Sequence, residues 1–571
     1  MLEAFAQISP AWPFLIAGLL CLAIPVHLVR KALMLAAPLA GLFLWFLPAQ
    51  PGVYGVVEVG PFVLETFRYD ALSRVWGLVF VLAGLLNGVF ALHERARISD
   101  GSALLYTGAA IGAVFAGDLL TLFLFWELTA IASAPLIFSA GGRSAYRTGL
   151  RYLAIQVLSG VLLLGGAMML VAETGSWTFG AIGLDSRAGW VILAGVGIKA
   201  AFPLLHNWLQ DTYPKATATG AVVLSAFTTK MAIYALARAF PGEDILIWIG
   251  VVMAVFPVIY ITLENDLRRM LAYSLNAQLG FMVAAIGVGG AIGLNAAAAN
   301  AFVHVLYKGL LFMTMGAVLV RAGTVKATEL GGLFRSMPVT TVFALIGCLT
   351  LLGAPFLAGF AAKALVLHAL LEEGHILAFT ILVIAAAGVV EHSGYKLPWF
   401  AFFGRDSGKR PAEAPWNMLL AMGLAAFLCV YLGLHHEALF GLLPYPEAYE
   451  PYKLSAVIGQ LQLIAVSLFA FGLVIRFGLY PLRDDRITLD ADWLYRRVLD
   501  GAARWTSAMT QRLITSIQLM LARAGVGAGR RLFNLFSPAG LLSRDFPSGL
   551  MALWTALMLA MVLIAAYFST L

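Results

Sequence analysis

An all-α polytopic membrane protein of about sixteen transmembrane helices is the fold class that the sequence predicts, on three observations. The 571 residues are 61% hydrophobic and only 12% charged, with a mean hydropathy of +0.89. Apolar runs long enough to cross about 30 Å of hydrocarbon follow one another along almost the whole chain. Basic residues gather in alternate connections between those runs, as they do when loops alternate across a bilayer.

Taken in order, spans are expected near 11–29, 32–48, 70–92, 102–116, 118–139, 146–171, 188–211, 215–239, 244–263, 266–289, 293–320, 338–371, 375–402, 415–434, 454–480 and 547–568. Between the second and third, VYGVVEVGPFVLETFRYD has Gly60 and Pro61 at its centre and predicts a short extramembrane hairpin. Arg30/Lys31, Arg95/Arg97, Arg143/Arg147, Lys215, Arg268/Arg269, Lys326/Arg335, Arg405/Lys409/Arg410 and Arg483/Arg486 fall on one side, against Arg187 and Lys453 on the other. The positive-inside rule makes the first side cytoplasmic and the N-terminus external, in a bacterial inner membrane. The net charge of +7 is then a topology signal, not a nucleic-acid footprint.

The first apolar segment is flanked by Arg30 and Lys31 and runs directly into another, so no cleavable signal peptide is expected. Cys21, Cys348 and Cys429 lie in apolar runs without CxxC spacing, so neither a disulfide framework nor a metal site is expected. No flavin, haem, nucleotide or iron–sulfur motif is visible. The expectation is therefore no cofactor and no enzyme activity of the chain itself, any redox chemistry belonging to partner subunits.

From about 489 to 536 the pattern changes. Leu494, Val498, Ala502, Trp505, Met509, Leu513, Ile517 and Met520 recur at three- to four-residue steps, with Arg496, Arg497, Arg504, Arg512 and Arg523 on other faces. This predicts a long amphipathic helix on the cytoplasmic side, able to lie in the lipid interface or along neighbouring membrane subunits. It would reach on the order of 60 Å if unbroken, but Gly525, Gly527 and Gly529 are expected to interrupt it.

Charges inside the spans carry the functional signal. Glu127 lies in GDLLTLFLFWELTAIAS, Lys199 in GVGIKAAFPLLHNWLQDTY, Lys230 in SAFTTKMAIYALAR, His304 and Lys308 in NAFVHVLYKGLLF, and Lys363 in LGAPFLAGFAAKALVLHALL. A charged side chain at the bilayer centre costs about 2.5 kcal/mol or more, so such residues mark ion paths by default. Pro203 breaks its helix close to Lys199, and Pro355 with Gly359 does the same ahead of Lys363; irregular backbone at membrane depth is tolerated only beside protein or a watered cavity. Glu127 and Lys199 are candidates for an ion pair whose partners can exchange a proton. A static pair that only fixes helix register is the alternative. His206, Asp211 and Tyr213, just past the first break, are candidates for proton exchange with solvent, and His206 and His304 have the chemistry for it near neutral pH.

At these residues the chain resembles the proton-conducting antiporter-like subunits shared by respiratory complex I and the Mrp-type Na⁺/H⁺ antiporters. GDLLTLFLFWEL, IKAAFPLLHNWL, TKMAIYALAR, DLRRMLAYS with Gln278 and Gly280, HVLYKGLLF and GAPFLAGFAAK carry the resemblance, in the family's order, over about 70–400. It implies a core of fourteen helices with two inverted five-helix repeats, each containing a broken helix. It also implies roles: Glu127 and Lys199 as the first pair, Lys230 as the link, Lys308 with His304 as the relay, and Lys363 as the end group. The late amphipathic helix and last span are similar to the largest such complex I subunit, and LDADWLYRR resembles the large Mrp subunits.

Three departures point towards a divergent, Mrp-like or other ion-translocating assembly. Gln210 and Tyr213 stand where the family often has proline and histidine, Ala364 follows Lys363 where an acid is common, and Asn300 replaces a second histidine.

The expected organisation is N-terminal helices with the hairpin (1–92), a first repeat (93–240), a second repeat (241–403), further helices (404–488), the lateral helix (489–546) and a last span (547–571). The expected function is proton translocation, with Na⁺ as a candidate counter-ion, in a multisubunit ion-pumping complex. Two alternatives stay open: an energising partner subunit of an inorganic-carbon uptake complex, and a secondary transporter acting alone.

Overall fold

Several helices in this chain start where a short polar side chain, Asp70, Asp118, Ser186, Thr217 or Asp266, accepts from the orphan amides of a first turn. The computed structural model describes all residues except 1–4, 6, 447, 482–489, 492, 494–496, 499, 538–539, 541–547 and 570–571. Arg483, Arg486, Leu494 and Arg496 of the expected basic loop and amphipathic helix therefore lie outside the described residues. Among the described residues, thirteen helices are long and apolar enough to cross a membrane. Two broken helices and the shorter Trp12–Ala23 occupy the positions of the other three expected spans.

The chain opens with α1 (Trp12–Ala23) and α2 (His27–Trp45). The hairpin then forms as expected, β1 (Gly52–Val59) pairing antiparallel with β2 (Phe62–Tyr69) around Gly60, whose φ is +60°. It docks on the membrane domain: the Glu65 amide donates to Asp118 at 2.7 Å, and the Gly117 amide to the Glu65 carbonyl at 2.8 Å. Next comes α3 (Ala71–Phe90), whose cap Asp70 forms a reciprocal box with Ser73.

Five crossing units follow: α4 (Arg97–Phe115), α5 (Leu119–Phe138), α6 (Gly142–Thr174), a broken helix α7 (Arg187–Lys199) and α8 (Asn207–Thr212), and a second interrupted helix α9 (Ala218–Ala226) and α10 (Thr228–Ala239). Five more repeat the order. They are α11 (Asp244–Leu263), α12 (Leu267–Val288), α13 (Gly290–Ala322), a broken pair α14 (Pro338–Leu352) and α15 (Ala358–Glu372), and α16 (Ile376–Val389), which continues in wide π turns to Phe403.

The parallel extends to detail. In each run the second helix starts at an aspartate cap that also forms an isolated antiparallel bridge, Asp118 with Thr178 and Asp266 with Lys326. In each, the third helix is 33 residues long and the fourth is broken. Five crossings is an odd number, so the second run enters from the opposite face and the repeats are inverted.

Both breaks are visible in the backbone. Around Pro203, Ala201 has φ +60° and Leu204 φ +69°; beside Pro355, Phe356 has φ +67°. A left-handed non-glycine residue costs on the order of 1–3 kcal/mol and persists only where its surroundings enforce it. Gly359 is required for a different reason: a Cβ there would lie 1.9 Å from the Thr350 carbonyl oxygen. After the second run come α17 (Trp416–Leu434) and α18 (Leu454–Arg476). The loop ahead of α17 is tied by Asp406, whose carboxyl is held well below the usual carboxylate range by Arg410, the Gly408 amide and Arg335.

Two expectations need correcting. Arg30 and Lys31 are not solvated loop charges: both lie inside α2, buried, and both pair with Asp100 of α4, at 3.1 and 2.5 Å. Asp100 was the missing sign, since two buried cations need a compensating acid. The glycines also fail to interrupt the amphipathic helix, because α19 runs unbroken from Asp500 to Phe536, 37 residues. Glycine costs only about 1 kcal/mol relative to alanine in a helix, and no proline accompanies these three. The chain divides into a compact unit Met1–Asp490 and a second, Ala491–Leu571, which holds α19 and α20 (Ser548–Ser569).

Candidate functional site

Trp126, Thr129 and Ser133 share one face of α5, at three- and four-residue steps. That face receives Lys199, the last residue of α7 and fully buried. Its Nζ donates to the Trp126 carbonyl at 2.6 Å and to Thr129 Oγ1 at 2.8 Å, and lies 4.5 Å from the Trp126 ring centre. Trp126 is itself locked, its Nε1 donating to Ser159 Oγ at 3.0 Å while Ser159 donates to the Gly195 carbonyl at 2.6 Å. The lysine therefore ends its helix where the carbonyl dipoles favour a cation.

Glu127, one residue round the helix, makes no hydrogen bond to Lys199, although each is the other's charge partner. A Cβ on Gly160 of α6 would fall 1.5 Å from its Oε1, so the carboxyl fills space that only a glycine leaves, and Oε1 is buried with no described partner. Among the described residues no ion pair within 4.0 Å joins Glu127 to Lys199. The direct contact expected from the sequence is thus absent. A rotation of about 100° per residue explains it: the face that holds Lys199 is set by Trp126 and Thr129, not by Glu127.

Lys230 exploits the α9–α10 interruption. Phe227 stays in the right-handed helical region but distorted (φ −108°, ψ −63°), and Lys230 Nζ donates to the Ser225 carbonyl at 2.6 Å. The Thr228 amide is satisfied by the Tyr106 hydroxyl at 2.9 Å, and Trp76 Nε1 donates to the Lys230 carbonyl at 3.1 Å.

On α13, His304 and Lys308 lie one turn apart and are fully buried. Lys308 Nζ donates to Ser274 Oγ of α12 at 2.7 Å; both ring nitrogens of His304 are without a described partner. Lys363 on α15 is 6% exposed, and its Nζ likewise has no described partner. It lines a cavity of about 520 Å³ with Phe360, His368, Tyr449, Lys453 and Gln460.

The three residues past the first break diverge. His206 is buried, its Nε2 at 3.2 Å from Asp490. Asp211 pairs with Arg269 at 3.2 Å and Arg151 at 3.7 Å. Tyr213 is fully buried, and its hydroxyl donates to the Leu224 carbonyl at 2.7 Å, so it is a packed structural group without access to solvent.

Sequence reasoning missed Ser159, Gly160, Tyr273 and Asp490, and it also missed Lys396. That lysine had a signal, a cation in an apolar span. It is fully buried and donates to the carbonyls of Ile261 at 2.9 Å, Thr262 at 3.0 Å and Glu264 at 2.5 Å, closing the end of α11. Among the described residues no group of three or more His, Cys, Asp or Glu is placed to hold a metal.

Two inverted repeats, each with a broken helix, define a class of multi-pass membrane scaffold. Residues 116–387 match the family described as NADH:quinone oxidoreductase/Mrp antiporter, TM. The N subunit of the NADH-quinone oxidoreductase of Desulforudis audaxviator is 32% identical over 340 residues, 54% of this chain and 68% of that one. The D subunit of the Na(+)/H(+) antiporter of Bacillus subtilis is 27% identical over 401 residues, 65% of this chain and 79% of that one. Among solved structures, a chain of the membrane-bound sulfane sulfur reductase, an archaeal respiratory membrane complex, superposes with a TM-score of 0.71. That match covers 97% of this chain and 99% of the other at 21% identity, and it speaks to the fold. The chain belongs to the NADH:quinone oxidoreductase/Mrp antiporter transmembrane family.

Proposed function

We propose that this chain is a proton-translocating subunit of a multisubunit ion-pumping complex, set in a bacterial inner membrane with its N-terminus outside. The observation that carries the reading is a file of buried cations on successive elements, Lys199, Lys230, Lys308 and Lys363, with Glu127 and His304 beside them. A buried lysine whose described hydrogen bonds go only to carbonyls and hydroxyls has no described counter-charge within 4.0 Å, so its proton responds to nearby changes of charge.

The sequence of events starts at Glu127. Protonation of its carboxyl or binding of a partner alters the field at Lys199, across the face of α5; Lys199 shifts its hold on the Trp126 carbonyl; and the change passes to Lys230, to Lys308 with His304, and to Lys363. The cavity beside Lys363 supplies the space for exchange at that end. Other membrane subunits are the expected partners, with α19 as a contact and Na⁺ as the counter-ion to be assayed.

The test is ΔpH formation in inverted membrane vesicles carrying the whole complex. Lys199→Ala and Glu127→Gln are each expected to abolish it, and retained transport in both would overturn the reading.

A further inference from the structure

We infer that Asp490 is the positioning residue of His206, and that with Tyr273 the two form the proton-exchange port of the first repeat. The transport consequence rests on the proton reading above; the pairing itself does not.

His206 occupies the cap position of α8, immediately after the strained turn at Ala201 to Leu204. Its Nε2 lies 3.2 and 3.4 Å from the two carboxyl oxygens of Asp490, and Tyr273 of α12 donates to the same carboxyl at 2.6 Å. The His206 side chain is 3% exposed and the Asp490 side chain 7%. His206 Nδ1 is buried without a described partner, so one nitrogen faces the carboxyl and the other is left for proton exchange.

A carboxylate at one imidazole nitrogen fixes the ring's orientation and selects which nitrogen carries the proton. The carboxylate accepts from Nε2–H, which leaves the Nδ1 lone pair to take a proton; the ring becomes imidazolium under the Asp490 charge, releases the Nδ1 proton again and ends neutral with its Nε2–H tautomer unchanged, and no other group is consumed. Aromatic rings flank the cluster: the Phe256 ring centre lies 4.4 Å from that of His206, and Tyr260 stacks on Tyr273 at 5.0 Å. The other charges here face one another, Asp211 with Arg151 and Arg269, and Arg269 with Glu264 at 3.7 Å.

The carboxyl comes from 284 residues beyond His206 and is the last residue of the first compact unit, directly ahead of Ala491. Asp490, at the end of that unit, thus contacts the first helix break, in the half of the unit that holds Lys199.

Hydrogen–deuterium exchange on the purified complex tests the position. Asp490→Asn is expected to raise amide exchange across residues 200–213 by about tenfold or more, with Asp490→Glu restoring it. Exchange unchanged in Asp490→Asn would overturn the pairing. In vesicles, Asp490→Asn and His206→Gln are each expected to slow ΔpH formation about tenfold, and the double variant to fall no further, because coupled residues are not additive. Multiplying losses would overturn it. Retained transport in both Lys199→Ala and Glu127→Gln would instead overturn the proton reading while leaving the exchange result standing.

Discussion

The two five-helix runs share a scaffold and differ in where it carries charge. Counted from the two aspartate caps, Glu127 matches Leu275; counted from the first residues of the two 33-residue helices, Gly160 matches Lys308. The first run therefore sets an acid on its second helix against a glycine on its third. The second run reverses this, setting a lysine on its third helix against Ser274 on its second. The breaks differ in the same spirit: Lys199 closes the helix before its break, whereas Lys363 lies in the second turn after its own and faces a cavity. Repetition supplies the paired helix faces and the interrupted backbone. Sign and solvent access are then set independently in each half.

The sharpest way to break that comparison is at the glycine. Gly160→Ala would drive a Cβ to 1.5 Å from Glu127 Oε1, whereas Gly309, beside the matching Lys308, has nothing within 4 Å of an added Cβ. Overpacking of this kind costs about 1–3 kcal/mol, so Gly160→Ala should lower the unfolding midpoint by several degrees and displace the carboxyl. Gly309→Ala should be neutral or stabilising by up to about 1 kcal/mol. Thermal unfolding of the two variants, with ΔpH formation alongside, checks this; equal behaviour would show that Glu127 does not depend on Gly160.

A smaller effect separates the lysines. Ser274→Ala removes the one side-chain acceptor described for Lys308, while Thr129→Val leaves Lys199 its Trp126 carbonyl. Leaving a buried charged donor without its partner costs about 1–3 kcal/mol or more. Ser274→Ala should therefore lower both stability and transport by more than Thr129→Val does, and the reverse order would mean that Lys308 has support beyond Ser274.

Much of this was legible in the sequence, for reasons that can be located. Pro203 and Pro355 cannot continue a helix, so both breaks could be read directly; every lysine of the file stood out because ammonium is costly in an apolar run. What could not be read was which way a side chain turns and what reaches it from far along the chain. Glu127 and Trp126 are neighbours in sequence but lie about 100° apart on the helix, so the expected pair with Lys199 gave way to a carbonyl contact. Asp490 and Asp100 find His206 and Arg30 through tertiary packing alone. Tyr213 looked exchangeable by its place in the motif, yet packing buries it completely.

The smallest expected effect lies in the backbone of the breaks themselves. Leu204 and Phe356 both have left-handed φ and both are exposed, at 65% and 60%, but only Phe356 has a ring stacked on it, Tyr452 at 5.6 Å with planes 11° apart. Replacing each by glycine removes left-handed strain of about 1–2 kcal/mol and adds unfolded-state entropy worth about half of that. Leu204→Gly loses little packing and should gain about 0.5 kcal/mol, near 1 °C in the unfolding midpoint. Phe356→Gly also forfeits an aromatic contact worth about 0.5–1.5 kcal/mol and should be neutral or destabilising. If Leu204→Gly gained nothing, the first break would be held by its contacts so firmly that its φ stores no strain. If both variants gained equally, the Tyr452 stack would contribute nothing to the second break.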